Sequence, residues 1–383
     1  MAVVGGVVRD RLLRRPPAGR DADVVVEGDA VALARRVARS RGLRVRVHER
    51  FGTATLETSE GWTIDLAGAR SETYDRPGAL PRVSPATLEE DLSRRDFTVN
   101  AMALELPPPP APARLHDPFG GRADLARRRL RTLHPASFWD DPTRALRAVR
   151  YGNRLDLRLE RQTARRLREA VGSGALDTVS GDRIRRELER TLSEPGAAGA
   201  VRRMVDLGIG RAIHRELDTS DGALRALARA ERLARRASFE TTWMLPLLVW
   251  AGAVSEAGCR ELARRLSLAA TARRILERWP ATRSVSSGSG GAGVGRLRLS
   301  PDERVAAAAL VSPGPASREA RRRLLSVPLR LSIRGADLLE AGVPPGPRIG
   351  RALAETEVAR EAGRIAPAQE LAFALAAARR RES

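Results

Sequence analysis

The stretch GRDADVVVEGDA, residues 19–30, places two carboxylates, Asp21 and Asp23, at the start of a valine-rich run. In a strand, positions i and i+2 point to the same side, so both acids share one surface. Like charges held together repel unless a cation or a cationic substrate lies between them. The pair is either a divalent-metal site or a solvated strand edge. A third acid, Asp65, interrupts the apolar run GWTIDLAG, where a carboxylate is costly without a partner. It is either the third ligand of a two-metal centre for phosphoryl transfer or an outward-facing strand residue. Upstream, Gly5 and Gly6 separate a short strand-like run from the helical stretch VVRDRLL. Glycine lets backbone approach a ligand closely, and a helix start offers free N–H groups to phosphate. Arg9 adds a charged donor in the first turn. The arrangement sets a triphosphate cradle beside a metal-binding acid pair.

The elements that must carry these residues are legible from periodicity. Over residues 1–130 short apolar runs (AVV, ADVVV, LRVRVH, TATLE, WTIDLA, TVNAMALEL) read as strands alternating with turns and helical stretches. PPPPAPA at 107–113 cannot join a ladder and reads as a loop between two strands. From 136 onward the pattern is helical almost throughout, interrupted by SVSSGSGGAGVG at 284–295, which reads as a flexible linker. The expected architecture is an α/β head on a helical body.

Composition narrows the partners. The 383 residues carry 68 Lys+Arg against 47 Asp+Glu, a net charge of +21, and every one of those cations is arginine. Such a charge favours polyanions, nucleic acid above all, and arginine forks to phosphate as an ammonium cannot. The single cysteine, Cys259, excludes an internal disulfide and reads as a small buried side chain. His48, His116, His134 and His214 show no metal-ligand spacing. The sequence reads as having no signal peptide, and no apolar run in it is long enough to span a bilayer. A cytoplasmic, reduced protein with no membrane partner is expected.

Five blocks in order then carry a resemblance. GGVVRDRLL with DAD, RRDFTVNAMAL (94–104), DPFGGRADL…LR (117–131), DDPTRALRAVRY (140–151) and SGDRIRRELERTL (180–192) together resemble the tRNA nucleotidyltransferase and bacterial poly(A) polymerase family. That family is a branch of the polymerase-β-like superfamily. The likeness runs over about the first 195 residues, and GADLLEAGVPPGPRIGRAL (335–353) is a looser match near the C-terminus. It implies an α+β fold: a polymerase-β-like head with a small mixed sheet over 1–133, a helical neck over 134–195, and a helical RNA-binding body and tail over 196–383. Only four residues precede Gly5, fewer than the resemblance implies, so either the start lies upstream or the sheet has a thinner edge.

Carried over residue by residue, the resemblance implies that Asp21, Asp23 and Asp65 bind two Mg2+ ions. Gly5, Gly6 and Arg9 fall on its triphosphate loop. Arg95, Asp96 and Asn100 fall on the block that holds ribose and phosphates, with Asp96 suited to accept from a 2′-OH. Without the resemblance, Asp96 could as well be paired with a neighbouring arginine. Asp141 and Arg144, three apart on an apparent helix, fall on its nucleobase-reading pair. Cytosine and adenine each present a ring-nitrogen acceptor beside an amino donor, which an acceptor-only carboxylate and a donor-only guanidinium meet together. Uracil and guanine present the reverse. Taken alone the pair reads as a helix salt bridge. Arg147 and Arg150 continue the same face; Arg147 falls with the nucleobase-reading pair, either of the two can serve triphosphate or neck packing, and Arg183 with Glu187, at i and i+4, reads as a brace of the neck. The position before Asp141 is Asp140 where the family more often has Glu.

The implied activity is template-independent addition of C and/or A from CTP and/or ATP to the 3′ end of tRNA, with pyrophosphate release. DNA is not an expected partner. Poly(A) tailing of RNA is the alternative within the class, and a catalytically silent RNA-binding protein the alternative outside it.

Overall fold

Alternation along one strand organises the N-terminal sheet. In β2 (Asp21–Val26), Val24 and Val26 enter an apolar cluster with Leu56, Leu66 and the Ala30–Ala34–Ala38 face of α2 (Ala30–Arg41). Val25 enters a second cluster with Ala2, Val4, Leu92, Ala101 and Ala103. With both faces covered, the acids at the strand's start emerge where that packing ends. α2 is set by Asp29, whose side chain accepts from Ala32 N at 2.9 Å, and ends at Gly42 with φ 64.

The protein, described from a computed structural model, is seen over residues 1–16, 19–107, 110–217, 220–237, 240–287, 299–311, 321–322, 324–325, 331–361 and 364–379. Its seven-stranded sheet also contains β1 (Ala2–Val4), β3 (Arg44–His48), β4 (Thr53–Glu57), β5 (Thr63–Gly68), β8 (Ala103–Glu105) and β9 (Arg114–His116), in the order β3-β4-β5-β2-β1-β8-β9. Only β2 and β5 pair parallel; the other pairs are antiparallel, which makes the sheet mixed. A separate hairpin joins β6 (Arg70–Thr73) to β7 (Arg82–Pro85).

Three expectations need correction. The sheet is not thinned at its start, because β1 lies in the interior between β2 and β8. The run TVNAMALEL is not one strand: Thr98–Asn100 forms a 3-10 turn, and only Ala103–Glu105 pairs. Ser284–Ser287, expected in the linker, complete a helix that begins at Ala270, while the rest of that linker lies outside the described residues.

Among the described residues beyond the sheet the chain is mainly helical, with a two-residue parallel pairing of Arg129–Leu130 and Arg158–Leu159 and a single bridge from Thr132 to Phe97. The elements that matter for the site are α1 (Gly6–Leu12), α3 (Leu88–Ser93), α4 (Gly121–Ala126), α5 (Ser137–Asp140), α6 (Thr143–Arg154), α7 (Arg161–Gly172) and α8 (Gly181–Ser193). α6 packs on α8 and buries Ala145, Leu146, Ala148 and Val149, yet it also buries Arg144, Arg150 and Tyr151. Charged side chains are seldom buried without a partner.

The chain divides into two compact units, Met1–Thr219 with Glu261–Ala269, and Ser220–Arg260 with Ala270–Ser383. The second is all helical where described. Its helices Asp221–Ala237, Met244–Trp250, Ala270–Ser287 and Pro301–Leu310 pack together, with Trp250 and Trp279 fully buried. A further cluster of Leu338, Val343, Ala352, Ala374, Ala377 and Ala378 joins its last helices. Cys259 is buried, with its Sγ 4.0 Å from the Val254 carbonyl oxygen. No helix among the described residues is long and apolar enough to cross a membrane.

Candidate active site

The parallel pairing of β2 with β5 sets Asp23 opposite Asp65, with Val4 of β1 on the far side of Asp23 and Thr55 of β4 beyond Asp65. Residues in register on neighbouring strands share a face, so chain positions 42 apart in number meet because of topology alone (65 − 23). Thr55 Oγ1 donates to Asp65 Oδ1 at 2.6 Å. Asp23 lines the cavity and is open to solvent. Burial raises its pKa above the usual carboxylate range, Arg95 opposes that, and Asp65 and Asp21 reinforce it. Asp21 is exposed and leans back toward Gly19, where an added Cβ would lie 2.3 Å from Asp21 Oδ1. Thus Asp23 and Asp65 line the cavity and Asp21 stands outside its lining. Among the described residues, no three acid, histidine or cysteine side chains stand close enough to hold an ion as they lie.

The cavity encloses about 850 Å³ and lies within the first unit. Gly5 and Gly6 form one wall. Gly5 has φ 75, a backbone conformation that favours glycine, and a Cβ there would lie 3.3 Å from the mobile tip of Arg95, Nη1. Arg95 itself pairs with Asp91 at 2.9 Å.

Behind that wall runs a buried relay. Arg9, ion-paired with Asp10 at 2.7 Å, donates to Asn100 Oδ1 at 2.7 Å. Asn100 Nδ2 donates to Asp96 Oδ1 at 2.9 Å, and Phe97 N donates to the same oxygen at 2.8 Å. Asp96 Oδ2 takes Arg147 Nε at 2.8 Å and Nη2 at 2.5 Å. Burial pushes the Asp96 carboxyl up, but Arg147 and Asn100 outweigh it and hold the group below its ordinary value. A carboxylate offers about four acceptor positions, and here all are taken. The expected 2′-OH acceptor is therefore paired within the protein, and Arg147, expected at the nucleobase, is its partner.

Asp141 does not lie on the helix it was expected to share with Arg144. Pro142 starts the helix after Asp141, whose backbone is extended (φ −133, ψ 94), so the two residues do not form a helix ion pair. Both still line the cavity. Arg144 donates to Ser137 Oγ and to the Arg94 carbonyl, each at 2.7 Å. Arg183 pairs with Asp141 at 2.7 Å rather than with Glu187. Glu187 instead meets Arg190 at 2.9 Å and Arg150 at 3.3 Å. Arg150, Arg183 and Glu187 lie outside the cavity lining.

Several lining residues escaped the sequence reading. Tyr74 donates to Glu72 Oε2 at 2.8 Å, and burial, then Glu72, drives its phenol pKa far up. No periodicity marks it, because it lies just past β6. Arg154 was within reach: Arg147, Tyr151 and Arg154 share one helix face at i, i+4 and i+7. The Tyr151 ring carries Arg9, Arg147, Arg150 and Arg154 within 4.8–5.7 Å of its centroid. Arg154 is disfavoured as a cation by burial first and by Arg9 next. Counting the lining, seven arginines (9, 70, 94, 95, 144, 147, 154) face five acids (23, 65, 72, 96, 141). An anion relieves that excess.

Residues 1–131 match the poly A polymerase head domain family, and residues 156–220 match the family described as a probable RNA and SrmB-binding site of polymerase A. An A-adding tRNA nucleotidyltransferase of Geobacter sulfurreducens is 40% identical over 230 residues, covering 60% of this chain and 26% of that protein. Against this relative the match thus spans about a quarter of its length. A CC-adding tRNA nucleotidyltransferase of Deinococcus radiodurans is 33% identical over 378 residues, 98% of this chain and 89% of the relative. The Thermotoga maritima CCA-adding enzyme complexed with tRNA superposes with a TM-score of 0.72 at 29% identity, covering 98% of this chain and 90% of that one. Agreement at this identity over nearly the full length leaves one conclusion: the chain belongs to the tRNA nucleotidyltransferase and poly(A) polymerase family.

Proposed function

We propose that this protein adds C and/or A ribonucleotides to the 3′ end of tRNA, using CTP and/or ATP and releasing pyrophosphate. The observation that carries the reading is the in-register pair Asp23 and Asp65 at the mouth of an arginine-rich cavity. The family membership and the tRNA-processing relatives support it. Residues 1–133 act as the catalytic head, 134–195 as the neck, and 196–383 as the RNA-binding body. A tRNA substrate implies work in the cytoplasm.

The donor set suits two Mg2+ ions. Asp23, Asp65 and Asp21 offer hard oxygen ligands, and their mutual repulsion at Asp23 is the condition a divalent ion relieves. Asp21 has to rotate away from Gly19 to complete the set. Bound ions supply Lewis-acid polarisation of the phosphate and a more acidic attacking hydroxyl. The protein's own residues hold the nucleotide. Gly5 and Gly6 admit the triphosphate close to backbone, and Arg9, Arg95 and Arg154 balance its charge. Asn100 and the Asp96–Arg147 pair fix the wall on which the ribose rests. Asp141 accepts from the amino group of C or A while Arg144 donates to the ring nitrogen, which selects these bases without a nucleic-acid template.

The test is incubation with a tRNA lacking its CCA end and each labelled NTP singly. Incorporation of one to three residues from CTP or ATP, absent in Asp21→Ala with Asp23→Ala, supports the proposal. Unbounded A-tailing points to a poly(A) polymerase, and undiminished incorporation by the double variant refutes the catalytic assignment.

A further inference from the structure

Asp141 Oδ1 is crowded with donors while its other oxygen is free of them. Thr143 N reaches Oδ1 at 3.0 Å, Thr143 Oγ1 at 2.6 Å and Arg183 Nη2 at 2.7 Å. Arg183 stands near the start of α8, and its second terminal nitrogen, Nη1, donates to the Gly78 carbonyl at 3.0 Å. Gly78 sits in the turn between β6 and β7. With φ +71, it packs so tightly that a Cβ would lie 2.3 Å from Thr178 Oγ1 and 3.0 Å from the Thr178 carbonyl oxygen. One guanidinium therefore forks between a carboxylate at the cavity and the backbone of a turn seated on the segment that leads into α8.

We propose that Arg183 is a positioning residue for nucleobase selection, turning Asp141 so that Oδ1 is spent inside the protein and Oδ2 faces the cavity. The inference rests on the reading that Asp141 accepts from the amino group of C or A. A carboxylate with two equivalent free oxygens can swivel to offer an acceptor to several base edges. Anchored at one oxygen, it offers a single acceptor in a single direction, and a directional contact rejects a mismatched edge best. The planar fork of arginine serves both partners at once, which the point charge of lysine cannot do. Arg183 also ties the acceptor's direction to the seat of the β6–β7 turn. Arg144, the donor half, is fixed separately through Ser137 Oγ and the Arg94 carbonyl.

The experiment measures kcat and KM for CTP, ATP, UTP and GTP on a tRNA lacking its CCA end, for Arg183→Gln, Arg183→Lys and Asp141→Asn. A misdirected group can cost up to about a hundredfold. Arg183→Gln is expected to lower kcat/KM for C and A by roughly ten- to a hundredfold while that for U and G falls less, so the selectivity ratio drops. Arg183→Lys, which keeps the ion pair with Asp141, restores part of that ratio. A brace without a positioning role would lower all four nucleotides alike and leave the ratio intact, which overturns the proposal. Loss of selectivity in Asp141→Asn with full selectivity in Arg183→Gln also overturns it, yet leaves the base-reading role of Asp141 standing. Unchanged selectivity in Asp141→Asn defeats that underlying reading itself. Should Arg183→Gln not fold, Gly78→Ala, which unseats the turn without touching either charge, is read by the same ratio.

Discussion

Asp65→Asn is expected to make the metal-free protein more stable while removing its activity. Asp23 and Asp65 stand in register on adjacent strands, a spacing of about 5 Å. Two unit charges at that distance repel by about 3 kcal/mol at an effective dielectric of 20 and by under ~1 kcal/mol in water. Both carboxylates reach solvent, so the lower end applies, and about 1 kcal/mol is the expected gain. Asparagine keeps the volume and an oxygen to accept from Thr55 Oγ1, which now sits at 2.6 Å. For a unit of this size 1 kcal/mol moves Tm by about 2–4 °C. Melting curves in chelator read that rise, and the same curves with added Mg2+ should show the wild type gaining stability and the variant gaining little. Incorporation of labelled nucleotide should fall by at least about a hundredfold, since a lost metal ligand removes several kcal/mol of charge stabilisation. A variant that melts below the wild type in chelator, or that still incorporates nucleotide, refutes the reasoning. The first result would make Asp65 a structural acceptor for Thr55, the second a bystander.

Arg147→Gln leaves the buried Asp96 with Asn100 and a backbone donor only, and urea denaturation should show a loss of about 3 kcal/mol, the low end for breaking a buried pair; Asp96→Asn added to it should recover part. Arg154→Gln removes a cavity-facing cation that burial and Arg9 already disfavour, so KM for NTP should rise about tenfold, a change of about 1.4 kcal/mol, with little effect on melting. The raised carboxyl of Asp23 binds its proton more tightly folded than unfolded, where its ordinary value is 3.8. Metal-free protein should therefore lose stability as pH climbs from 3.8 through the folded value, a slope that Asp23→Asn abolishes in melts across that range. Asp96, held below 3.8, acts the opposite way and is lost only as pH falls further. With a charge of +21, tRNA affinity should fall linearly in log–log form as salt rises; a flat titration would disprove phosphate-dominated binding.

Much of this was local enough to read from the chain. Alternation at Asp21 and Asp23, the glycines before a helix, and the helical spacing of Arg144, Arg147 and Arg150 are properties of a few neighbouring residues, and any folded form of those segments preserves them. Strands alternating with helices, followed by a helical body, came from the same kind of periodicity, whereas the mixed pairing of the sheet did not. Partnership is different, because a charged side chain chooses among every group that packing brings near it. The i,i+4 spacing of Arg183 and Glu187 described two residues that could meet, but Asp141 lay closer in space and took Arg183. Asp96 was legible as an acid in a nucleotide-binding block; that Arg147, Asn100 and Phe97 would use all its acceptor positions was decided by docking α6 against residues 94–100. Sequence by itself determined which side chains can bear charge and which face of each element they occupy. Only tertiary packing decided which opposite charges are satisfied inside the protein and which remain for a ligand, because that choice depends on distances between segments that local periodicity does not encode.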